Sequence, residues 1–167
     1  MGSIFRTEGL SAGYGRKVVL SGAEITAERG RITTLIGPNG CGKTTLTRCL
    51  NGLIPNFFEG TLTGEILYEG VPVNKMEQYE LSRKIGTVFQ DPRSQFFAVN
   101  TTDEVAFGCE NLAFSTERIN QNVDAAFSRM NIDVLRDRSL FGLSSGEKQR
   151  LALMEKQYKI SVSFYLH

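Results

Sequence analysis

Gly37-Pro38-Asn39-Gly40-Cys41-Gly42-Lys43-Thr44 decides how this chain is read. Its spacing is glycine, four residues, glycine, lysine, then serine or threonine, and each residue type has a physical job. Glycines let the backbone take conformations closed to other residues and come close to a ligand. Successive N–H groups can then turn inward and form an anion nest. A helix starting at Lys43 adds its positive dipole end at the same point. Lys43 carries a full charge toward the outer phosphates of a nucleotide, and Thr44 offers a hydroxyl to Mg²⁺. At average residue frequencies the fixed positions match by chance in roughly one chain in two hundred of this length. The competing reading, an ordinary glycine-rich turn, does not explain the flanks. Arg31-Ile32-Thr33-Thr34-Leu35-Ile36 is β-branched and apolar and reads as a strand buried on both faces. After the loop, Leu46, Cys49, Leu50 and Leu53 recur at helical spacing, with Gly52 near the end. Cys41 reads as a small side chain in a variable slot rather than a redox switch.

The rest of the composition narrows the classes around this loop. The chain has 167 residues, enough for one ordinary domain with its own core. Its 19 basic and 18 acidic side chains leave a net charge of +1, which gives no global reason to bind nucleic acid. The longest run without a charge is 11 residues, Ile32 to Gly42, whereas a spanning helix needs about 20 apolar residues. Met1 to Leu10 lacks the basic start and apolar segment of a secretory signal. Cys41, Cys49 and Cys109 have no metal-ligand spacing, so a reducing cytosol fits better than a disulfide framework. The single histidine, His167, argues against a histidine-based triad or metal site.

Outward from the loop, Ser3 to Leu10 partly alternates and predicts a strand, followed by a turn at Ser11 to Gly15. Lys17 to Leu20 and Ala23 to Ala27 predict short strands around Ser21-Gly22. Thr61 to Tyr68 predicts a strand with a turn at Glu69-Gly70, Met76 to Lys84 a helix, and Ile85 to Phe89 a second buried strand. From Gln90 the character turns helical. Thr101 or Thr102 caps one helix, and Ser115 caps another. In the second, Ile119, Val123, Ala126, Phe127 and Met130 form one apolar stripe, read as core packing. A last helix begins near Gly146, and Ile160 to Leu166 alternates as a strand.

Leu143-Ser144-Ser145-Gly146-Glu147-Lys148-Gln149-Arg150 opens that last helix. Ser144 can cap it, leaving Ser145 and Gly146 at its positive end as a second anion site. Together the two glycine motifs strongly resemble the ATP-binding cassette ATPases, the nucleotide-binding subunits of ABC transporters. Gly37 to Thr45 resembles their Walker A loop, and Leu143 to Gln149 their signature motif. Tyr14 stands where the family has an aromatic that stacks on adenine, and Gln90 matches its Q-loop glutamine. Asn51 to Pro55, Val88 to Pro92, Gln95 to Phe97 and Asp103 to Gly108 are similar to the energy-coupling-factor branch, which drives uptake of vitamins and of cobalt or nickel ions.

The resemblance implies an α/β fold: a P-loop NTPase (RecA-like) core, an N-terminal antiparallel β subdomain and a helical signature subdomain. Residues 1–89 would form the nucleotide-binding core with its β subdomain, 90–145 the Q-loop and helical subdomain, and 146–167 the signature helix and terminal strand. It implies ATP and Mg²⁺ as cofactors. Tyr14, Gly37, Pro38, Asn39, Gly40, Cys41, Gly42, Lys43, Thr44, Thr45, Ser145 and Gly146 would bind nucleotide. Lys43 and Gln90 would be catalytic, and Thr44 and Gln90 would touch Mg²⁺. Two subunits, identical or different, would pair head to tail, with Ser145 and Gly146 of one on the γ-phosphate held by Lys43 of the other. A transmembrane subunit would dock near Gln90, placing the ATPase on the inner face of the membrane, without nucleic acid. The family's Walker B aspartate and catalytic glutamate follow the signature helix, and here Val162 to Leu166 and His167 stand where they belong. The chain is therefore expected to be incomplete at its C-terminus and to hydrolyse little ATP alone. Three readings follow: an importer ATPase cut short, a non-hydrolysing nucleotide-binding or interaction module, and, least fitting, a soluble ATPase of repair or translation.

Overall fold

β1 (Ser3–Tyr14) organises the first half of the chain. The computed structural model describes residues 2–88, 95–156 and 162–165, which divide into two compact units at Ser82/Arg83. In the first unit β1 pairs antiparallel with β2 (Lys17–Ala23), with β3 (Thr26–Glu28) and with β4 (Thr61–Tyr68), and β4 carries the short β5 (Val71–Pro72). Ile4 and Phe5, on opposite faces of β1, are both buried, and the Phe5 ring meets Tyr68 edge to face at 5.2 Å. The break between β2 and β3 is bridged by a side chain. The buried Thr7 hydroxyl donates to the Ala23 carbonyl (2.8 Å) and accepts from the Ile25 N–H (2.9 Å).

The turn expected over Ser11 to Gly15 is narrower than its composition suggested. β1 continues to Tyr14 and pairs Tyr14 with Lys17, leaving Gly15 and Arg16 to reverse the chain. Gly13 makes this possible: a Cβ there would stand 2.2 Å from the Lys17 carbonyl oxygen. β4 and the Glu69-Gly70 turn fall where the sequence put them. α1 (Lys43–Leu50) follows the glycine loop and buries Leu46, Cys49 and Leu50. Burial pushes the Cys49 thiol up to about 11, so this sulfur packs as a small apolar group. After α1 come the short α2 (Leu53–Asn56) and α3 (Gln78–Lys84), which buries Leu81.

One expectation fails. Arg31 to Ile36 was expected as a strand buried on both faces, but residues 31–38 form no regular element, and Ile32 and Ile36 are 96% and 88% exposed. A strand that is apolar on both faces needs pairing strands and cover on both sides. No strand of the described residues pairs with this one.

The second unit holds a parallel pair, β6 (Ile85–Val88) with β7 (Val162–Tyr165), and three helices: α4 (Thr101–Glu110), α5 (Thr116–Met130) and α6 (Ser145–Lys156). The α5 stripe is core, as its period indicates: Val123, Ala126 and Phe127 are buried, with Ile119 and Met130 packed at the margin. Burying a side chain such as Phe127 contributes about 2 kcal/mol. Ser115 caps α5, accepting from the Arg118 N–H (3.4 Å). The cap of α4 is Asn100, not Thr101 or Thr102: its side-chain oxygen accepts from the Asp103 N–H at 2.9 Å. Thr101 is instead buried, its hydroxyl donating to the Leu135 carbonyl at 2.6 Å. The architecture is mixed α/β, with an antiparallel sheet in one unit and helices beside a parallel pair in the other.

Candidate functional site

The loop before α1 is shaped by positions where a side chain would not fit. Gly40 and Gly42 take positive φ, +81° and +101°, a region that favours glycine. A Cβ on Gly42 would also meet the Leu20 Cδ2 at 2.9 Å and the Val19 Cγ1 at 3.2 Å, both from β2. A Cβ on Gly37 would stand 2.7 Å from the Cys41 sulfur. The loop is therefore drawn tightly around its own backbone, with the Cys41 N–H donating to the Pro38 carbonyl at 3.3 Å. The Lys43 ammonium folds back across it, donating to the carbonyls of Gly37 (2.8 Å) and Pro38 (3.0 Å). Asn39 lies at the exposed tip, Thr44 is exposed at the helix start, and Thr45 is buried beneath it.

The electrostatics of this helix start fit an anion. Gly42 caps α1 without a side-chain acceptor, and the first turn holds no acidic residue. Unanswered N–H groups, a positive dipole end and a neighbouring ammonium are what a phosphate group requires. A divalent cation held there would rely on the Thr44 hydroxyl and on phosphate oxygens, the usual arrangement for Mg²⁺. Among the described residues no group of three or more His, Cys, Asp or Glu side chains forms a metal cage.

Tyr14 is brought to the same helix. Its hydroxyl accepts from the Nη1 of Arg48 on α1 at 3.1 Å. Sequence reading named Tyr14 but missed Arg48, whose partner lies 34 residues away.

Ser145 and Gly146 sit exposed in the first turn of α6. Ser144 caps this helix reciprocally with Glu147. The Glu147 N–H donates to the Ser144 hydroxyl (3.3 Å), and the Ser144 N–H donates to the Glu147 carboxylate (2.7 Å). Hydrogen bonding from the Ser144 side chain and backbone, helped by Arg138 and Arg150, holds the Glu147 carboxyl below its ordinary value. The Ser-x-x-Glu spacing of 144 to 147 was the available signal for this box. A Cβ on Gly146 would meet nothing within 4 Å, so packing within this chain does not demand a glycine there. Gln90, His167 and the 157–161 stretch lie outside the described residues. Among the described residues no helix is long and apolar enough to cross a membrane.

Comparison with known proteins gives the site its context. The family described as ABC transporter matches residues 20–159, which include the loop and the start of α6. A putative ABC transporter ATP-binding protein of Treponema denticola is 45% identical over 124 residues, 74% of this chain and 25% of that protein. The putative HMP/thiamine import ATP-binding protein YkoD of Bacillus subtilis is 35% identical over 153 residues, 90% of this chain and 28% of its own length. The chain thus spans about a quarter of the length of the curated relatives it matches. Among solved structures, cbiO1 of Clostridium perfringens, part of the ABC transporter complex cbiONQ, superposes with a TM-score of 0.83. Its sequence identity is 25%, and the match covers 100% of this chain and 79% of that one. The chain belongs to the ABC transporter family.

Proposed function

We propose that this chain supplies the ATP-binding machinery of an importer, in an assembly that hydrolyses ATP to drive uptake of a vitamin or a transition-metal ion. The observation that carries the reading is the closure of Lys43 over an uncapped, acid-free helix start, with its ammonium held at Gly37 and Pro38. In the proposed site the backbone N–H groups of Asn39, Gly40, Cys41 and Gly42 cradle the β- and γ-phosphates, and Gly37 and Pro38, which has no N–H to give, shape the entry to the loop. Lys43 exchanges its two carbonyl partners for phosphate oxygens, Thr44 offers its hydroxyl to Mg²⁺, and Thr45 supports the turn below. Tyr14 stacks on the base. Gln90 reaches Mg²⁺ and the attacking water, a role that rests on the family resemblance. The bound nucleotide supplies the phosphoryl group for transfer to water.

Ser145 and Gly146 are proposed to meet the γ-phosphate held by a second ATPase subunit. The open space around Gly146 supports this, because a glycine without an internal reason allows close approach from outside. A transmembrane subunit is proposed to dock near Gln90, keeping the ATPase on the cytoplasmic face. The HMP/thiamine import named for YkoD supports the importer reading and a vitamin as cargo, and the transporter complex named for cbiO1 supports partner subunits.

Isothermal titration with Mg-ATP tests the nucleotide site. Lys43→Ala is expected to weaken binding by about thirtyfold or more, the worth of a charge-assisted contact of about 2 kcal/mol. Unchanged affinity would overturn the reading. Phosphate release by the chain with its partner subunits, abolished by the same substitution, tests hydrolysis.

A further inference from the structure

Arg48 lies on α1, about 7.5 Å along the helix axis from Lys43 at 1.5 Å per residue. Its guanidinium carbon sits 4.0 Å from the centre of the Phe58 ring, a close cation–π contact. Its Nη1 donates to the Tyr14 hydroxyl at 3.1 Å, and its buried Nε has no hydrogen-bond partner among the described residues. The Phe58 segment reaches this place because Gly60 carries no side chain: a Cβ there would stand 2.7 Å from the Gly13 carbonyl oxygen, one residue before Tyr14. An arginine is thus clasped between an aromatic that orients its plane and a tyrosine that takes its proton donor.

We propose that Arg48 is a positioning residue for base recognition: with Phe58 behind it, it fixes the Tyr14 ring in the orientation that stacks on the nucleobase. The proposal rests on the reading of the loop as a nucleotide site with Tyr14 at the base. Tyr14 ends a strand and precedes the glycine turn, so its ring would otherwise sample several rotamers, and ordering it on binding would cost affinity. Arginine suits the role because its planar fork loses less freedom per bond than a lysine's flexible ammonium. α1 then carries both ends of the site, with the phosphate contact at Lys43 and the brace of the base platform at Arg48.

The test separates base from phosphate by titrating the full chain with Mg-ATP and with Mg-tripolyphosphate, which has no base. Arg48→Met is expected to weaken ATP binding five- to tenfold while tripolyphosphate stays within about twofold, since only the nucleotide has a base to stack on Tyr14. Tyr14→Phe, which removes only the hydroxyl, is expected to reproduce the loss, and the double variant to be no weaker than either single one. Arg48→Lys is expected to restore part of the affinity. An unchanged ratio of the two affinities in both Arg48→Met and Tyr14→Phe overturns the proposal, whether both ligands bind normally or both weaken together. If Arg48→Met does not fold, Tyr14→Phe decides the question alone. A wild-type chain that binds tripolyphosphate and ATP equally overturns the base-positioning role and leaves the phosphate site standing. One that binds neither overturns both.

Discussion

Two helix starts in this molecule face the same problem and solve it oppositely. Every α-helix begins with N–H groups that have no partner in the helix. At α6 the chain answers one of them itself, the Glu147 N–H through the Ser144 hydroxyl, with the Glu147 carboxylate returning a bond to the Ser144 N–H. At α1 it does not: Gly42 offers no side chain, and the first turn carries no acid, whereas α4, α5 and α6 each carry at least one. A capped start is stable alone. An uncapped start with a lysine folded over it keeps its donors for a ligand, and with glycine at the cap gives up only about 0.3 kcal/mol of cap energy to do so. The difference supports the proposed phosphate site at α1 on physical grounds, beside motif spacing.

The comparison can be broken most sharply at Thr44. Thr44→Asp places an acid in the first turn of α1, as α4, α5 and α6 have. It is expected to reduce Mg-ATP affinity more than a hundredfold while leaving the melting temperature equal or slightly higher, because the acid complements the dipole but repels phosphate. Calorimetry and thermal unfolding on one sample check both halves. Next in size, Gly42→Ala forces a left-handed alanine against Leu20 and Val19 and is expected to cost about 1–2 kcal/mol, read by urea unfolding of the first unit. Ser144→Ala removes the cap at the other helix and is expected to cost about 1 kcal/mol, seen as faster amide exchange confined to the first turn of α6.

The smallest effect is a pH dependence. Since the folded Glu147 carboxyl lies below its ordinary value, its contribution is complete above the unfolded value of about 4.3 and is lost as pH falls through the folded one. Amide protection at Ser144 should therefore hold from neutral pH down to about 5 and fade below 4. No such step is expected at the α1 start, which has no acid to protonate.

What could be read from the sequence was what depends on near neighbours. The loop was legible because glycine spacing and a following lysine dictate backbone shape locally. The Ser115 cap and the α5 stripe were legible for the same reason. The α4 cap was misplaced because Asn100, Thr101 and Thr102 are all capable, and the choice falls to tertiary contact: Leu135 claims the Thr101 hydroxyl. Arg48 was invisible because its meaning lies in Tyr14 and Phe58, one of them 34 residues away in sequence. Arg31 to Ile36 was misread because composition reports that a segment suits burial, and burial depends on which strands pair with it.

That uncovered segment has a consequence for the chain in solution. Six residues rich in β-branched side chains, with one charge and no proline, make a favourable template for adding a strand from another molecule. With Ile32 and Ile36 facing water, light scattering at rising concentration is expected to show self-association through this stretch. A chaperone or a neighbouring strand that sheathes this stretch would then act as a solubility factor, and a lysine placed at Thr33 or Thr34 as a gatekeeper against aggregation.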